Sequence, residues 1–340
     1  MSRYAEAHAK PAGPGDARPT ALQIIKDEGV EGKLNGKIIV ITGTSSGIGI
    51  ETARALATTG ATLFLVARSL EKAEAAVADF FDPARMHLVQ MDNESFDSVR
   101  AAADAILKKT TKINILVNNA GIMAVPDRRL TRDGHELQFG TNHLAHFLLF
   151  QLLKPALLAA STPEFHSRVV SVASAAHKYS GIEASDNYNY TTEGSYDPMK
   201  AYGQSKTANI YFANEIERRY GARGLHATSL QPGAIMTGLA RFIPAEQREA
   251  MSAQMAKAPE MVQAMKSVEQ GAATTVWAAI GAEWATKGGK YLDNCAVADT
   301  QAAEGETSYT VATYAPWAFD EEKATRLWND SLKIVGVEDA

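Results

Sequence analysis

The chain has 340 residues, 46% of them hydrophobic, and a formal net charge of −5. Such a composition supports a large core, and the length suits one domain with extensions. The acidic balance argues against a nucleic-acid partner, and a single cysteine, Cys295, excludes an intrachain disulfide.

Residues 1–19 carry no apolar leader core and read as a flexible arm. Order is expected from Thr20, which with Gln23 forms a capping box for a short helix to about Glu28, stopped by Gly29. Apolar runs at 38–41, 63–66, 87–91, 113–117, 169–172, 227–230 and 290–292 read as strands. Most are continuous Ile/Val/Leu runs, the pattern of parallel strands covered by helices on both faces. The segments between them, such as 48–59 and 70–81, have helical length. This βαβα alternation predicts an α/β fold, a doubly wound parallel sheet of about seven strands with residues 20–340 as one domain.

The apolar stretch 144–160 is interrupted by His146, Gln151, Lys154 and Pro155. Spanning a membrane takes ~20 mostly apolar residues, so a buried amphipathic helix is expected there and no membrane span. Three stretches depart from the alternation: an insert at 175–200, a methionine-bearing lid at 239–266 and a helical tail at 302–340. In the tail Asp320 can cap a helix that puts Ala324, Leu327, Trp328 and Leu332 on one face.

The first strand runs directly into Thr42-Gly43-Thr44-Ser45-Ser46-Gly47-Ile48-Gly49. Its glycines allow a tight turn, close backbone approach to a phosphate and close helix–strand packing, and the helix that follows aims unpaired N–H groups at a pyrophosphate. A glycine pattern alone is an ordinary turn; after a strand and before a helix it points to a dinucleotide. The second strand ends Val66-Ala67-Arg68, with no acid to bind a ribose 2′-hydroxyl and a guanidinium that can hold a 2′-phosphate, so NADP(H) is expected over NAD. Asp92, after the third strand, reads as a helix N-cap.

Tyr202 and Lys206 stand four apart in a helical stretch and share its face. A free phenol has a pKa of ~10, and a neighbouring ammonium favours the phenolate, which suits proton exchange with a hydroxyl. Together with the other motifs the pair resembles the short-chain dehydrogenase/reductase family over residues 36–295. The glycine turn is similar to that family's cofactor turn. Asn118-Asn119-Ala120-Gly121 resembles its fourth-strand motif, and Asn142, Ser174, Tyr202 and Lys206 match its tetrad. Pro232-Gly233-Ala234-Ile235-Met236-Thr237-Gly238 resembles the segment that faces the nicotinamide.

The resemblance implies a Rossmann-type fold. It also implies that Tyr202 exchanges the proton, Ser174 bonds the reacting oxygen, Lys206 holds the nicotinamide ribose and Asn142 anchors a water. It further places Gly43, Ser45, Ser46, Gly47, Ile48, Gly49, Arg68, Asp92, Asn93, Asn119, Ala120, Gly121, Tyr202, Lys206, Pro232, Gly233, Ile235 and Thr237 at the cofactor. Ala173 stands where many relatives carry a serine, and the gap from Ser174 to Tyr202 is long for the family. Within it, the Asn142 segment, the insert and the tail most resemble the retinol-dehydrogenase-like and WW-domain-oxidoreductase-like branch. The long N-terminal lead resembles fungal members, some from secondary metabolism.

His143 and His146 have no third ligand at matching spacing, so no metal is expected. Cys295 reads as a plain thiol, and His177 is left open between site and scaffold. Tyr179, Tyr188, Tyr190 and Tyr196 of the insert are expected to line a wide pocket. Met251, Met255, Met261 and Met265 either cover that pocket or pack on the sheet. The reading is ketone reduction of a bulky, largely apolar small molecule by a cytoplasmic enzyme, compatible with a homo-oligomer. Two alternatives stand beside it: a non-redox cyclase or isomerase retaining NADP(H), and a non-catalytic NADP(H)-binding protein.

Overall fold

Alternate residues of each Ile/Val/Leu run feed two separate cores, which is why the runs are continuous. Ile39, Ile41, Leu63, Leu65, Ile115, Val117, Val170 and Val172 face one core, shared with the helices Ala21–Asp27, Ile48–Ala57 and Ala273–Ile280. Val40, Phe64, Val66, Leu116 and Val169 face the other, with Phe96–Leu107, Ala145–Ala160, Pro198–Tyr220 and Glu321–Val335. The computed structural model describes residues 2–182, 187–303, 305–306 and 311–339.

The strands are β1 (Ile38–Thr42), β2 (Thr62–Ala67), β3 (Met86–Gln90), β4 (Ile115–Asn118), β5 (Ser167–Val172), β6 (Leu225–Leu230) and β7 (Tyr291–Asp293), all parallel. A two-residue antiparallel strand, β8 (Ala296–Val297), completes an eight-stranded sheet of order β3-β2-β1-β4-β5-β6-β7-β8. β8 is too short to carry a hydrophobic run, so the sequence suggests only seven. The order reverses between β1 and β4, and in open α/β sheets ligands bind outside the carboxyl ends of the strands at that point.

Thr20 accepts the Gln23 N–H at 3.2 Å, but the Gln23 amide donates to Asp27 rather than back to the cap, so half of the capping box forms. Residues 2–19, expected as a flexible arm, are packed. Tyr4 and Arg18 are buried, and the Arg18 guanidinium donates to the carbonyls of Gly13, Gln263, Ala264 and Met265. Backbone carbonyls far along the chain make that anchor, so no local apolar pattern announces it.

The helix over Leu137–Ala160 is long and apolar enough to cross a membrane, but most of it is buried in the protein. It is covered on nearly every face rather than amphipathic, and His146, Gln151 and Lys154 are themselves buried. A π-helical turn, Gly140–Leu144, interrupts its start and carries Asn142; such turns recur at functional sites. In the region expected as a lid, Ala245–Met255 and Pro259–Ala264 bury no residue; Met251 and Met261 are exposed and only Met265 is buried.

Asp320 caps the last helix through the Lys323 N–H at 2.9 Å. Its Trp328 ring meets Phe147 edge-on at 4.9 Å, packs against Phe150 and Phe212, and donates its indole N–H to Asp339. The tail is therefore core, not appendage. Trp328→Ala is expected to remove about 3–5 kcal/mol of stability, read by urea unfolding. A loss under about 1 kcal/mol would contradict this view of the tail.

Candidate active site

The glycine turn leaves no room for side chains. Gly43 and Gly47 have φ of +79° and +61°, a region that disfavours other residues. A Cβ at Gly43 would sit 2.8 Å from the Ala120 Cα, and one at Gly49 would sit 2.2 Å from the Gly43 carbonyl oxygen. Ser45 and Ser46 form the tip of the turn, and Ile48 opens the helix, packed with Ile235 against Gly271.

The end of β4 is tied to this turn. The N–H groups of Asn119 and Ala120 donate to the Thr42 hydroxyl at 2.9 and 3.0 Å, and the Asn119 amide donates to the Thr42 carbonyl at 2.8 Å. A Cβ at Gly121 would meet the Asn142 Oδ1 at 3.2 Å and the Lys206 Nζ at 3.6 Å. Both amide atoms of Asn118 are buried without a protein partner. A cradle that any Cβ would fill, at the N-terminus of a helix, fits a dinucleotide.

Arg68 extends from the end of β2 with 64% of its side chain exposed and pairs with Glu94 at 3.2 Å. Glu94 is an acid beside Arg68 that sequence reasoning missed, because it arrives from the end of β3. Asp92 accepts from the Glu94 N–H and from Arg132, while Ser95 caps the following helix; the N-cap reading of Asp92 is thus replaced by a turn plus an ion pair. Asn93 donates to the Thr141 carbonyl at 3.0 Å, between β3 and the π-helical turn.

The four tetrad candidates converge at the ends of β4 and β5. The Asn142 amide spans the Ile122 backbone, accepting its N–H and donating to its carbonyl, and also donates to Ser205. Ser205, another residue the sequence reading missed, returns a bond to the Tyr202 carbonyl. Ser174, just past β5, accepts the Ala176 N–H at 3.1 Å and hydrogen-bonds the Tyr202 side chain.

The Lys206 Nζ donates to the Val172 carbonyl at 3.0 Å and lies 5.5 Å from the centre of the Tyr202 ring. Burial pushes the Tyr202 phenol up to about 12, with the Ser174 bond pulling the other way, and pulls Lys206 down to about 7. The sequence led us to expect Lys206 to depress Tyr202. In the structure desolvation raises Tyr202 instead and only Ser174 opposes it, since burial penalises both charged forms.

Just past β6, Gly233 adopts φ +109°, Lys266 donates to the Pro232 carbonyl, and Ile235 pairs with Lys266 through the backbone. Thr237 covers Gly47 and caps a short turn through the Leu239 N–H. The predicted site residues thus collect at one edge of the sheet.

Other candidates serve as scaffold around it. His143 bonds Ser331, and His146 bonds Thr42; among the described residues no group of three ligands suits a metal. His177 is scaffold: its ring lies 2.7 Å from the Ser174 carbonyl and accepts the Ala315 N–H. Three of the four pocket tyrosines are already engaged. Tyr188 stacks on Phe139 and donates to Asp330, Tyr196 donates to the Val125 carbonyl, and Tyr190 is buried edge-on to Tyr196. Tyr179 and Tyr196 are half-buried, and Tyr188 and Tyr190 are buried. The substrate argument built on Tyr188, Tyr190 and Tyr196 therefore falls.

The family described as short chain dehydrogenase matches residues 37–248. The chain is 48% identical over 336 residues to the short-chain dehydrogenase/reductase prx1 of Penicillium roqueforti, covering 98% of this chain and 95% of that one. It is 37% identical over 306 residues to human retinol dehydrogenase 13, covering 89% and 86%. Its fold matches the Pseudomonas aeruginosa RhlG/NADP active-site complex with a TM-score of 0.60 and 26% identity, over 77% of this chain and 96% of that one. The Rossmann-type sheet, the glycine cradle and these likenesses agree: the chain belongs to the short-chain dehydrogenase/reductase family, among its retinol-dehydrogenase-like and fungal members.

Proposed function

We propose that the protein reduces the carbonyl of a bulky, largely apolar ketone using NADPH. The observation that carries this reading is the convergence of a buried Tyr202 with its partner Ser174 and with the Lys206 Nζ, 5.5 Å from its ring, beside the glycine cradle. A neutral phenol at pH 7 is an acid in waiting, suited to giving a proton to an oxygen that gains charge.

The glycine turn, Asn119–Gly121, Lys206 and the 232–237 segment are the residues that would hold the dinucleotide, and its nicotinamide supplies hydride chemistry when bound. The chain does the rest. Ser174 donates to the substrate oxygen and steadies developing charge, and Tyr202 delivers its proton to that oxygen. Lys206, fixed by the Val172 carbonyl, places positive charge beside the Tyr202 ring as the phenolate forms. Asn142 holds the Ile122 backbone and, through Ser205, the helix of Tyr202. Exposed apolar side chains on the segment after β6, Met236, Met251 and Met261, support an apolar substrate. Arg68 and Ala67 support NADPH, as does the likeness to a protein described with NADP.

Tyr202→Phe keeps the ring and removes the proton. Turnover of a broad ketone panel, followed by NADPH absorbance, is expected to fall ~10²–10⁴-fold with NADPH affinity intact. Turnover at half the wild-type rate would exclude Tyr202 as the acid.

Cofactor choice is read by fluorescence titration of both nucleotides. Arg68→Ala is expected to weaken NADPH binding by about 1.5–3 kcal/mol and leave NADH binding unchanged. Glu94→Gln, which frees Arg68, is expected to tighten NADPH. Tighter NADH than NADPH binding by the wild type would overturn the assignment.

Lys206 gives a stability test with a definite sign. Its folded pKa of about 7 lies below the ordinary lysine value of 10.5, so between those pH values the unfolded chain binds the extra proton and stability rises with pH. Lys206→Met removes a buried charge while Asn209 still donates to the Val172 carbonyl. The variant is expected to be more stable by on the order of 1 kcal/mol at or below pH 7, with the advantage shrinking toward pH 10.5, while activity is lost. Thermal unfolding across pH checks it; a variant less stable than wild type at pH 6 would refute the account.

A further inference from the structure

Lys266 is nine-tenths buried or more, and no carboxylate lies within ion-pair distance of it among the described residues. A lysine so placed is unfavourable unless its ammonium does something an apolar chain cannot. Its alkyl chain lies flat on Gly233, where a Cβ would come within 2.8 Å of Lys266 Cδ and 3.0 Å of Cε and Nζ. Its Nζ donates to the Pro232 carbonyl at 3.1 Å, and its own N–H donates to the Ala234 carbonyl at 2.9 Å. One residue thereby grips three consecutive positions of the segment that resembles the nicotinamide-facing loop. Beyond it, Ile235 is wedged against Gly271 and Ile48, and Thr237 covers Gly47 of the glycine turn.

The other side of Lys266 is held from the N-terminus. Arg18 is buried and donates to the carbonyls of Gln263, Ala264 and Met265, the three residues just before Lys266. Asp16 fixes the guanidinium through Nε at 2.8 Å. Gln270 locks the approach: its amide donates to Asp16 and to the Arg18 carbonyl, and its oxygen accepts from Gly15 and Ser267. A planar guanidinium can hold several carbonyls at fixed spacing, which a point-like ammonium cannot. The short run 263–266 is thus a rung with Arg18 on one side and Pro232–Ile235 on the other.

We propose that Arg18 and Lys266 are positioning residues that set the 232–237 segment for the nicotinamide half of the cofactor. The N-terminal strap is then part of the cofactor site although no residue of it belongs to the glycine cradle. The inference rests on the functional reading above.

The test is NADPH fluorescence titration alongside thermal unfolding of the full-length chain, for Lys266→Met, Arg18→Ala and Arg18→Lys. Limited proteolysis of the 239–264 region, with and without NADPH, supplies a readout independent of turnover. Lys266→Met is expected to weaken NADPH binding by about tenfold, or ~1.4 kcal/mol, without lowering the melting temperature, because it removes a buried charge. Arg18→Ala is expected to weaken binding similarly and to lose the protection that NADPH gives the 239–264 region. Arg18→Lys is expected to behave like Arg18→Ala, because charge without the fork does not hold three carbonyls. Wild-type affinity in both Lys266→Met and Arg18→Ala would overturn the inference while leaving the reductase reading in place. So would affinity losses that merely track lowered melting temperatures, or full rescue by Arg18→Lys. A wild-type chain that binds neither NADPH nor NADH would overturn both.

Discussion

The Thr42 hydroxyl, at the last position of β1, holds the site together. It accepts from the N–H groups of Asn119 and Ala120, and its own proton faces His146 Nε2 at 2.9 Å, much nearer than the Val117 carbonyl at 3.4 Å. Burial pulls His146 down to about 4, so the ring is neutral at physiological pH and has one donor and one acceptor. Its Nδ1 faces the Asn142 carbonyl, which can only accept. Nδ1 therefore carries the proton, and Nε2 accepts from Thr42. The path continues from the Asn142 amide to Ile122 and Ser205, and from Ser205 to the Tyr202 carbonyl. The glycine cradle and Tyr202, the proton donor we propose, are joined by one connected set of buried bonds. A shift of one strand end would be felt at the catalytic helix.

The parts of this arrangement that sequence makes legible are those set by local spacing. The glycine turn, the Asn118–Gly121 motif, and Tyr202 four residues from Lys206 are short patterns whose meaning is carried by strand-to-helix geometry. What stayed hidden depends on residues far apart in the chain. Glu94 reaches Arg68 across 26 positions, and Arg18 reaches Ala264 across 246. The insert tyrosines mislead for the same reason. Tyr188 and Tyr196 lie near Tyr202 in sequence, but their hydroxyl partners, Asp330 and the Val125 carbonyl, come from the tail and from the β4 exit. Nearness along the chain says that a segment ends at the site, not which way its rings turn.

Burial sets the chemistry of the tyrosine–lysine pair as much as contact does. Both side chains are almost completely enclosed, so each is pushed toward its neutral form, Tyr202 to about 12 and Lys206 to about 7. A pair arranged that way holds a proton on oxygen with a lysine near its titration point. The enclosure comes from the fold around the helix Pro198–Tyr220: Ala176 and Ser180 of the insert press on Gly203, and the tail helix covers Phe212 through Trp328. Segments added to the doubly wound core thus decide the protonation state at its edge.

The two buried lysines of the site, Lys206 and Lys266, share one arrangement. Each donates to a main-chain carbonyl at the exit of a neighbouring strand, Val172 at the end of β5 and Pro232 just after β6. The helix Ile48–Ala57 turns its N-terminus to the same edge, adding partial positive charge from unpaired N–H groups. Buried ammoniums without a carboxylate at ion-pair distance weigh against folding, and a protein selected for stability alone would place Met there. Stability must come from elsewhere, and the aromatic cluster of Phe147, Phe150, Phe212 and Trp328 beneath the same helix provides it. The large apolar core packed on that helix offsets the cost of the buried lysines. That balance lets a crevice built for a negatively charged dinucleotide exist before the ligand arrives.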